Sequence, residues 1–173
     1  KRPIYLECIG SESCIWQGDK HRNFDSDAIS WLHSRSIKIR QLKCNLITDD
    51  MAVKIGSFGS CLHWLSIEDG NMKGKSVITI IDGCPNLQSV VLIRSCNITD
   101  DSIIRLAEKC PHLHRIFIPF CFEITDRSIV WLAEIHPNLR SLSLVGCSRI
   151  TDISIVNIAG RCPNLHTLKL QFC

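Results

Sequence analysis

Apolar and polar positions along the chain follow two alternating periods. Leu139-Arg-Ser-Leu142-Ser-Leu144 alternates every second residue, as a strand with one buried face does, and Ile155, Ile158 and Ala159 follow at helical spacing. The same pair of signals recurs upstream. Ile98-Thr99-Asp100, Ile124-Thr125-Asp126 and Ile150-Thr151-Asp152 are separated by steps of 26 residues, and Leu87, Leu113, Leu139 and Leu165 keep that step. One strand and one helix per period predicts a solenoid coil, because no such unit can bury its apolar face alone and each must stack on its neighbour. Local chemistry agrees with the period. Thr at each helix start can cap free backbone N–H groups, the Asp after it suits the positive helix end, and Cys-Pro or His-Pro stops the helix before the next strand.

Earlier units are degenerate but legible. Leu62-His-Trp-Leu65-Ser-Ile67 aligns with Leu87-Gln-Ser-Val90-Val-Leu92, and Ile47-Thr48-Asp49-Asp50 opens another helix. Phe24-Asp-Ser-Asp-Ala-Ile29-Ser-Trp-Leu32 matches Ile98-Thr-Asp-Asp-Ser-Ile103-Ile-Arg-Leu106, which places helix starts near 25, 48, 73, 99, 125 and 151. The expected domain is therefore a single array over 1–173, with about six strand–helix repeats. A strand is expected over 4–8 and an inserted loop over 9–23. The last strand closes at Cys173 with no helix after it, so the chain is expected to belong to a longer array.

Composition narrows the class of function. Of 173 residues 45% are hydrophobic, enough for a core, and 20 Lys+Arg against 17 Asp+Glu leave a formal charge of +3 without a dominant basic block. That is not the footprint of a phosphate-backbone binder, so no nucleic acid is expected. The apolar runs fall far short of the roughly 18 residues of a membrane span, and no membrane is expected. Eleven cysteines recur with the repeat instead of forming bridging pairs, which points to buried thiols in a reducing compartment, cytoplasmic or nuclear.

Leu139-x2-Leu142-x-Leu144-x2-Cys147-x2-Ile150-Thr-Asp152, closed by Cys162-Pro-Asn-Leu165, resembles the cysteine-containing class of leucine-rich repeats. The match is strongest over 84–173. It departs from the pattern where Ser95 holds a strand-end cysteine position with Cys96 displaced by one, and where His136 stands for a helix-end cysteine, so neither cysteine set is an obligatory cluster. The resemblance implies an α/β leucine-rich-repeat solenoid, a curved horseshoe with a parallel sheet on the concave side and helices on the convex side. It further implies protein–protein recognition of the kind carried out by F-box/LRR subunits of SCF-type E3 ubiquitin ligases, which receive substrate and dock a ligase adaptor through an F-box. No F-box is recognisable here, so that module would lie outside this chain. The alternatives are an F-box-free regulatory or scaffold protein with the same repeats, or an LRR receptor for a small molecule or polyphosphate.

In Leu-x-x-Leu-x-Leu the last two leucines face the core, so their neighbours face outward by alternation. This places Trp64, Glu68, Val91, Ile93, Arg115, Phe117, Pro119, Val145 and Lys169 on the concave surface, with Phe120 and Phe122 at the strand ends. Contiguous exposed apolar residues mark a protein or ligand contact, unless the inserted loop or a neighbouring molecule covers them, and a one-residue slip would invert every facing. Trp64, Arg115 and Phe117 belong to the residue types that dominate interface energetics. Six strands at about 4.8 Å span roughly 24 Å, room for a peptide or for part of an interface of about 800 Å² per side.

Chemistry is sparse elsewhere. Cys8, Cys14, His21 and His33 match no metal or catalytic spacing, His112 and His114 read as turn and surface residues, and the Thr-Asp pairs are explained by capping. We therefore expect no enzyme, no catalytic residue, no metal and no cofactor. Arg35, Lys38, Arg40 and Lys43 form the densest basic stretch, either a solvated strand or a contact for an anionic ligand.

Overall fold

A computed structural model describes residues 6–8, 14–16, 34, 39–44, 47–68, 73–93 and 97–173. Its strands form one sheet whose spatial order equals their order in the chain. These are β1 (Leu6–Cys8), β2 (Cys14–Trp16), β3 (Ile39–Cys44), β4 (Trp64–Glu68), β5 (Ser89–Ile93), β6 (Arg115–Phe117), β7 (Ser141–Ser143) and β8 (Thr167–Lys169). β1 runs antiparallel to β2, and every later pairing is parallel. Helices α1 (Asp49–Phe58), α2 (Gly74–Gly83), α3 (Asp100–Lys109), α4 (Asp126–Ile135) and α5 (Asp152–Arg161) connect β3 through β8 in turn. Each helix packs on the next. The result is an α/β array of parallel strands alternating with helices, an arrangement compatible with a solenoid. Among the described residues no helix is long and apolar enough to cross a membrane.

Two N-terminal expectations meet the structure only in part. The strand expected over 4–8 is seen as Leu6–Cys8. The stretch expected to be a loop, 9–23, contains β2, which pairs with β1 on one side and β3 on the other, its backbone extending the ladder that β3 would otherwise leave open. The rest of 9–23 lies outside the described residues, as do the helix start near residue 25 and the Ser95–Cys96 displacement.

The register agrees with period-two alternation. Leu65, Ile67, Val90, Leu92, Ile116, Ile118, Leu142 and Leu144 are buried, and they join Val77, Ile80, Ile103, Leu106, Ile129, Leu132 and Ile158 from the helices in one continuous core. Leu165, Leu168 and Leu170 remain partly exposed, because β8 has a strand neighbour on one side only. The first two helices approach closely through Gly56 and Gly83, where a Cβ on Gly83 would run into the Gly56 backbone. Alanine at either position would force α1 and α2 apart.

Hydrogen bonds stitch the coils at both helix ends. Asp100 accepts from Thr125 N at 2.8 Å and Thr125 Oγ1 at 2.6 Å. Asp126 repeats this with Thr151 N at 2.9 Å and Oγ1 at 2.6 Å, and also accepts from Ser154 Oγ at 2.5 Å. Asp49 takes the Ser76 hydroxyl and the Lys73 ammonium. Each Asp thus fixes the start of the following helix, while Thr48, Thr125 and Thr151 cap their own helices from Met51 N, Arg127 N and Ile153 N. Partial burial pushes the Asp100 and Asp126 carboxyls up, but the bonds they accept outweigh it and hold both below the ordinary aspartate range.

The relay is interrupted once. Gly74 stands where Asp100 and Asp126 open the later helices, and Ser102, the counterpart of Ser128 and Ser154, is fully buried with its hydroxyl unpartnered. A Cβ on Gly74 would sit 3.7 Å from that hydroxyl, so the missing group is the carboxylate that its position would have carried.

Two stability measurements follow. Leu142→Ala, at a fully buried site, is expected to lower unfolding free energy in urea by about 2–5 kcal/mol, and Leu168→Ala, at a partly exposed one, by less than about 2 kcal/mol. Ser154→Ala should cost about 1–2 kcal/mol for the lost bond to Asp126, while Ser102→Ala should be neutral or stabilising by up to about 1 kcal/mol. Equal losses for the two serines would contradict the interrupted relay.

Candidate interaction face and its basic edge

The face of the sheet away from the helices is ordered by the ladder into two rows. One runs Gln41, Trp64, Ser89, Arg115, Ser141, Thr167; the other runs Lys43, Ser66, Val91, Phe117, Ser143, Lys169. Val91 and Phe117 are therefore direct neighbours, flanked by Ser66 and Ser143 and then by a lysine at each end. Trp64 belongs to the other row and neighbours Ser89, not Phe117. Ile93 pairs with Glu68 at the far end of β5, and Glu68 is held by Lys43 at 2.7 Å. Ser66 and Ser143, which the alternation also assigns to this face, flank that apolar pair. Ser66 and Ser143 are buried, and the Ser143 hydroxyl has no hydrogen-bond partner.

Pro119, expected on the open surface, is instead buried. The ladder continues past Phe117, with Ile118 N–H donating to Ser143 O at 3.0 Å and Ile118 buried in the core, so Pro119 keeps its place in the alternation and is covered there, as Ser66 and Ser143 are. Phe120 follows in the left-handed region at φ 58°, with its N–H bonded to Val145 O at 2.6 Å. One period later the same turn uses Gly146 at φ 73°, and the Phe120 ring lies over it where a Cβ would clash. A bulky residue in this region is strained by about 1–3 kcal/mol, and here the cost places an apolar ring, 46% exposed like that of Phe122, at the rim of the face.

A second feature lies at the edge where helices hand over to strands. Backbone bonds link Arg40, His63, Gln88, His114, Arg140 and His166 in one row, each N–H donating to the carbonyl of the preceding member. In His63 and His166 the Nδ1 lies 2.7 and 2.6 Å from the carbonyl two residues earlier, and in His114 it lies 3.2 Å from it. A carbonyl can only accept, so Nδ1 carries the proton and Nε2 is left to face outward. Between three successive turns opens a cleft of about 560 Å³ whose lining includes Gln88, His112, His114, Asn138, Arg140 and Asn164, with no carboxylate. Sequence reading had left His112 and His114 as unremarkable turn residues. The signal was present in the recurrence of His and Arg at one repeat position, but their convergence required the coils to be stacked.

His136 forms part of that cleft's wall and performs a structural task. Cys110 Sγ donates to Cys84 O at 3.4 Å, Cys162 Sγ to His136 O at 3.6 Å, and His136 Nε2 to Ala107 O at 3.0 Å. The helix-end thiols and this imidazole therefore do the same work, tying one helix end to the previous coil. Burial drives the thiols of Cys44, Cys84 and Cys110 up to about 12 and that of Cys147 up to about 11, which leaves them protonated and poor nucleophiles at neutral pH. Among the described residues no group of three or more His, Cys, Asp or Glu is arranged to hold a metal ion.

Burial also lowers the His136 pKa from 6.5, against a smaller upward pull from the Ala107 carbonyl. The unfolded chain thus takes up the proton first, so this contribution to stability is complete above about pH 6.5 and is lost as pH falls below it. His136→Cys restores the residue type of the neighbouring coils and removes that titration. Urea midpoints at about pH 7.5 and about pH 5.5 should fall more between the two for wild type than for the variant. The aspartate relay titrates in a separate window, below its ordinary value of 3.8.

Matched against models of known families and against curated proteins, the chain finds no counterpart in either.

Proposed function

We propose that this chain is a protein-recognition module, a leucine-rich-repeat solenoid whose open sheet face is the concave side and takes a protein partner. The observation that carries this reading is the pairing of Val91 with Phe117 on a sheet face that also holds Trp64 and Ile93, with the strained, half-exposed Phe120 at its rim. Soluble surfaces seldom hold a bulky residue in the left-handed region without a reason, and contiguous exposed apolar groups are the usual core of an interface. Trp64 and Arg115 in the adjacent row supply the side-chain types that carry most binding energy. Buried, protonated thiols and the absence of a clustered metal set among the described residues lend no support to an enzymatic reading.

Within that reading, the resemblance of the repeats supports a role as the substrate-binding part of an SCF-type ubiquitin ligase, with the F-box outside this chain. Affinity purification from cells of the protein that carries these repeats, followed by mass spectrometry, tests both levels. Recovery of ligase adaptor and cullin, together with a set of proteins lost on Trp64→Ala/Phe117→Ala, is the expected result. The double variant should weaken a purified partner by about 30-fold or more, the loss typical of a truncated interface anchor. Partners without ligase components would favour an F-box-free scaffold. A variant that folds normally and loses no partner would sink the face as the recognition site.

A further inference from the structure

The charged residues are sorted by side of the molecule. All five described histidines, His63, His112, His114, His136 and His166, sit in the turns that lead from helices into strands. Strands β3–β8 and these turns contain a single described carboxylate, Glu68, and Lys43 neutralises it. The same segments carry Arg40, Arg115, Arg140 and Lys169, none of which makes an ion pair among the described residues. From residue 47 on, the other described carboxylates lie on the helices or the strand-to-helix turns, where many meet a partner, as Asp82 does with Arg105 at 2.6 Å, Glu123 with Arg149 at 3.0 Å and Glu134 with Arg161 at 3.0 Å. Unpaired cations thus gather on the open face and its edge, although the whole chain is close to neutral.

The cleft concentrates that asymmetry. Arg140 lies in it beside Gln88, His114, Asn138 and Asn164, all able to donate hydrogen bonds, and Asn164 Nδ2 already donates to Asn138 Oδ1 at 3.2 Å, which orients the two amides. Each turn residue of the row runs directly into the open face: Gln88 precedes Ser89, His114 precedes Arg115 and Arg140 precedes Ser141. The cleft therefore lies beside the open face, one residue away along the chain. An open trough of about 560 Å³ is the size of a few side chains. Its lining combines Pro111, Leu113, Ile135 and Pro137 with polar donors and one guanidinium, and it borders strands spaced about 4.8 Å apart, which suits an extended segment carrying several carboxylates.

We propose that this edge cleft binds an acidic peptide segment of the partner, with Arg140 and Arg115 as its carboxylate anchors and the Gln88, Asn138 and Asn164 amides as secondary donors. The inference rests on the reading of the open face as a protein-recognition surface and names the chemistry of what it receives. A partner would lay an Asp/Glu-rich stretch along the turn edge while its apolar residues meet Val91 and Phe117. Guanidinium groups pair carboxylates in two-pronged fashion, and mutual attraction between a basic edge and an acidic segment raises association rates in a salt-dependent way.

Fluorescence anisotropy of a fluorescein-labelled hexaglutamate peptide tests it on the full chain. Binding should weaken with added salt, and Arg140→Gln and Arg115→Gln should each weaken it by about tenfold, the scale of one charge-assisted hydrogen bond. Arg127→Gln removes the same charge at the opposite, strand-to-helix edge and should leave binding unchanged. Absence of hexaglutamate binding, or equal losses in all three variants, would overturn the site. Competition by free glutamate as effective per carboxylate as the peptide would overturn the peptide assignment in favour of a small acid. A phosphoserine hexapeptide bound tenfold more tightly than hexaglutamate would overturn the carboxylate chemistry. Trp64→Ala/Phe117→Ala should retain hexaglutamate binding, so loss of cellular partners in that variant tests the open face separately from its edge.

Discussion

Every stabilising contact of consequence in this chain is made across the interval between one coil and the next. A lone strand and helix would expose the apolar face of each, leave the helix start to a threonine cap alone and present a bare sheet edge, and the coil by itself can satisfy only part of this. The neighbour completes it. It supplies the parallel ladder, a matching layer of Leu and Ile, a carboxylate at the helix start and a carbonyl for the thiol or imidazole at the helix end. Because the supply is periodic, cooperativity passes along the array by contact between neighbours, and the weakest interval limits the whole.

That interval lies between α2 and α3. Lys73 replaces the capping threonine, Gly74 replaces the bridging aspartate, and Ser102 keeps a buried hydroxyl whose partner has been lost. The preceding junction is made differently, by the close approach of Gly56 and Gly83 and by Asp49 reaching Ser76 and Lys73. Close backbone approach and carboxylate bridging thus act together at that junction, and the next one lacks the bridging carboxylate. His136 shows tolerance at the helix ends. An imidazole reaches the earlier carbonyl as a thiol would, and adds sensitivity to pH that a thiol lacks.

Stacking also converts repetition into surface. A residue type repeated at one position of the coil becomes a row a few ångströms apart once the strands pair, so scattered single residues become a line of common chemistry. The row from Arg40 to His166 arises this way, and so does the neighbouring pair Val91 and Phe117. The helices, by contrast, carry the carboxylates and meet many of them with arginines. Separation of charge between the two sides gives a recognition surface its sign without giving the protein a large net charge.

The 26-residue step, the period-two strands and the Thr-Asp helix starts were legible in the sequence because each depends on spacing along one coil, and spacing is a local property. The helices begin one residue after positions 48, 73, 99, 125 and 151, and the core-facing leucines of β4 to β7 follow from alternation. Other features depend on a second coil. That Asp100 and Asp126 serve the following helix as well as their own, that Pro119 is covered, and that β2 forms inside a stretch read as a loop all required a neighbour in place. The cleft at Arg140 belongs to that second group. Its residues come from turns 26 positions apart, and only the stacking distance between coils, which no single repeat specifies, brings imidazole, guanidinium and amide into one space.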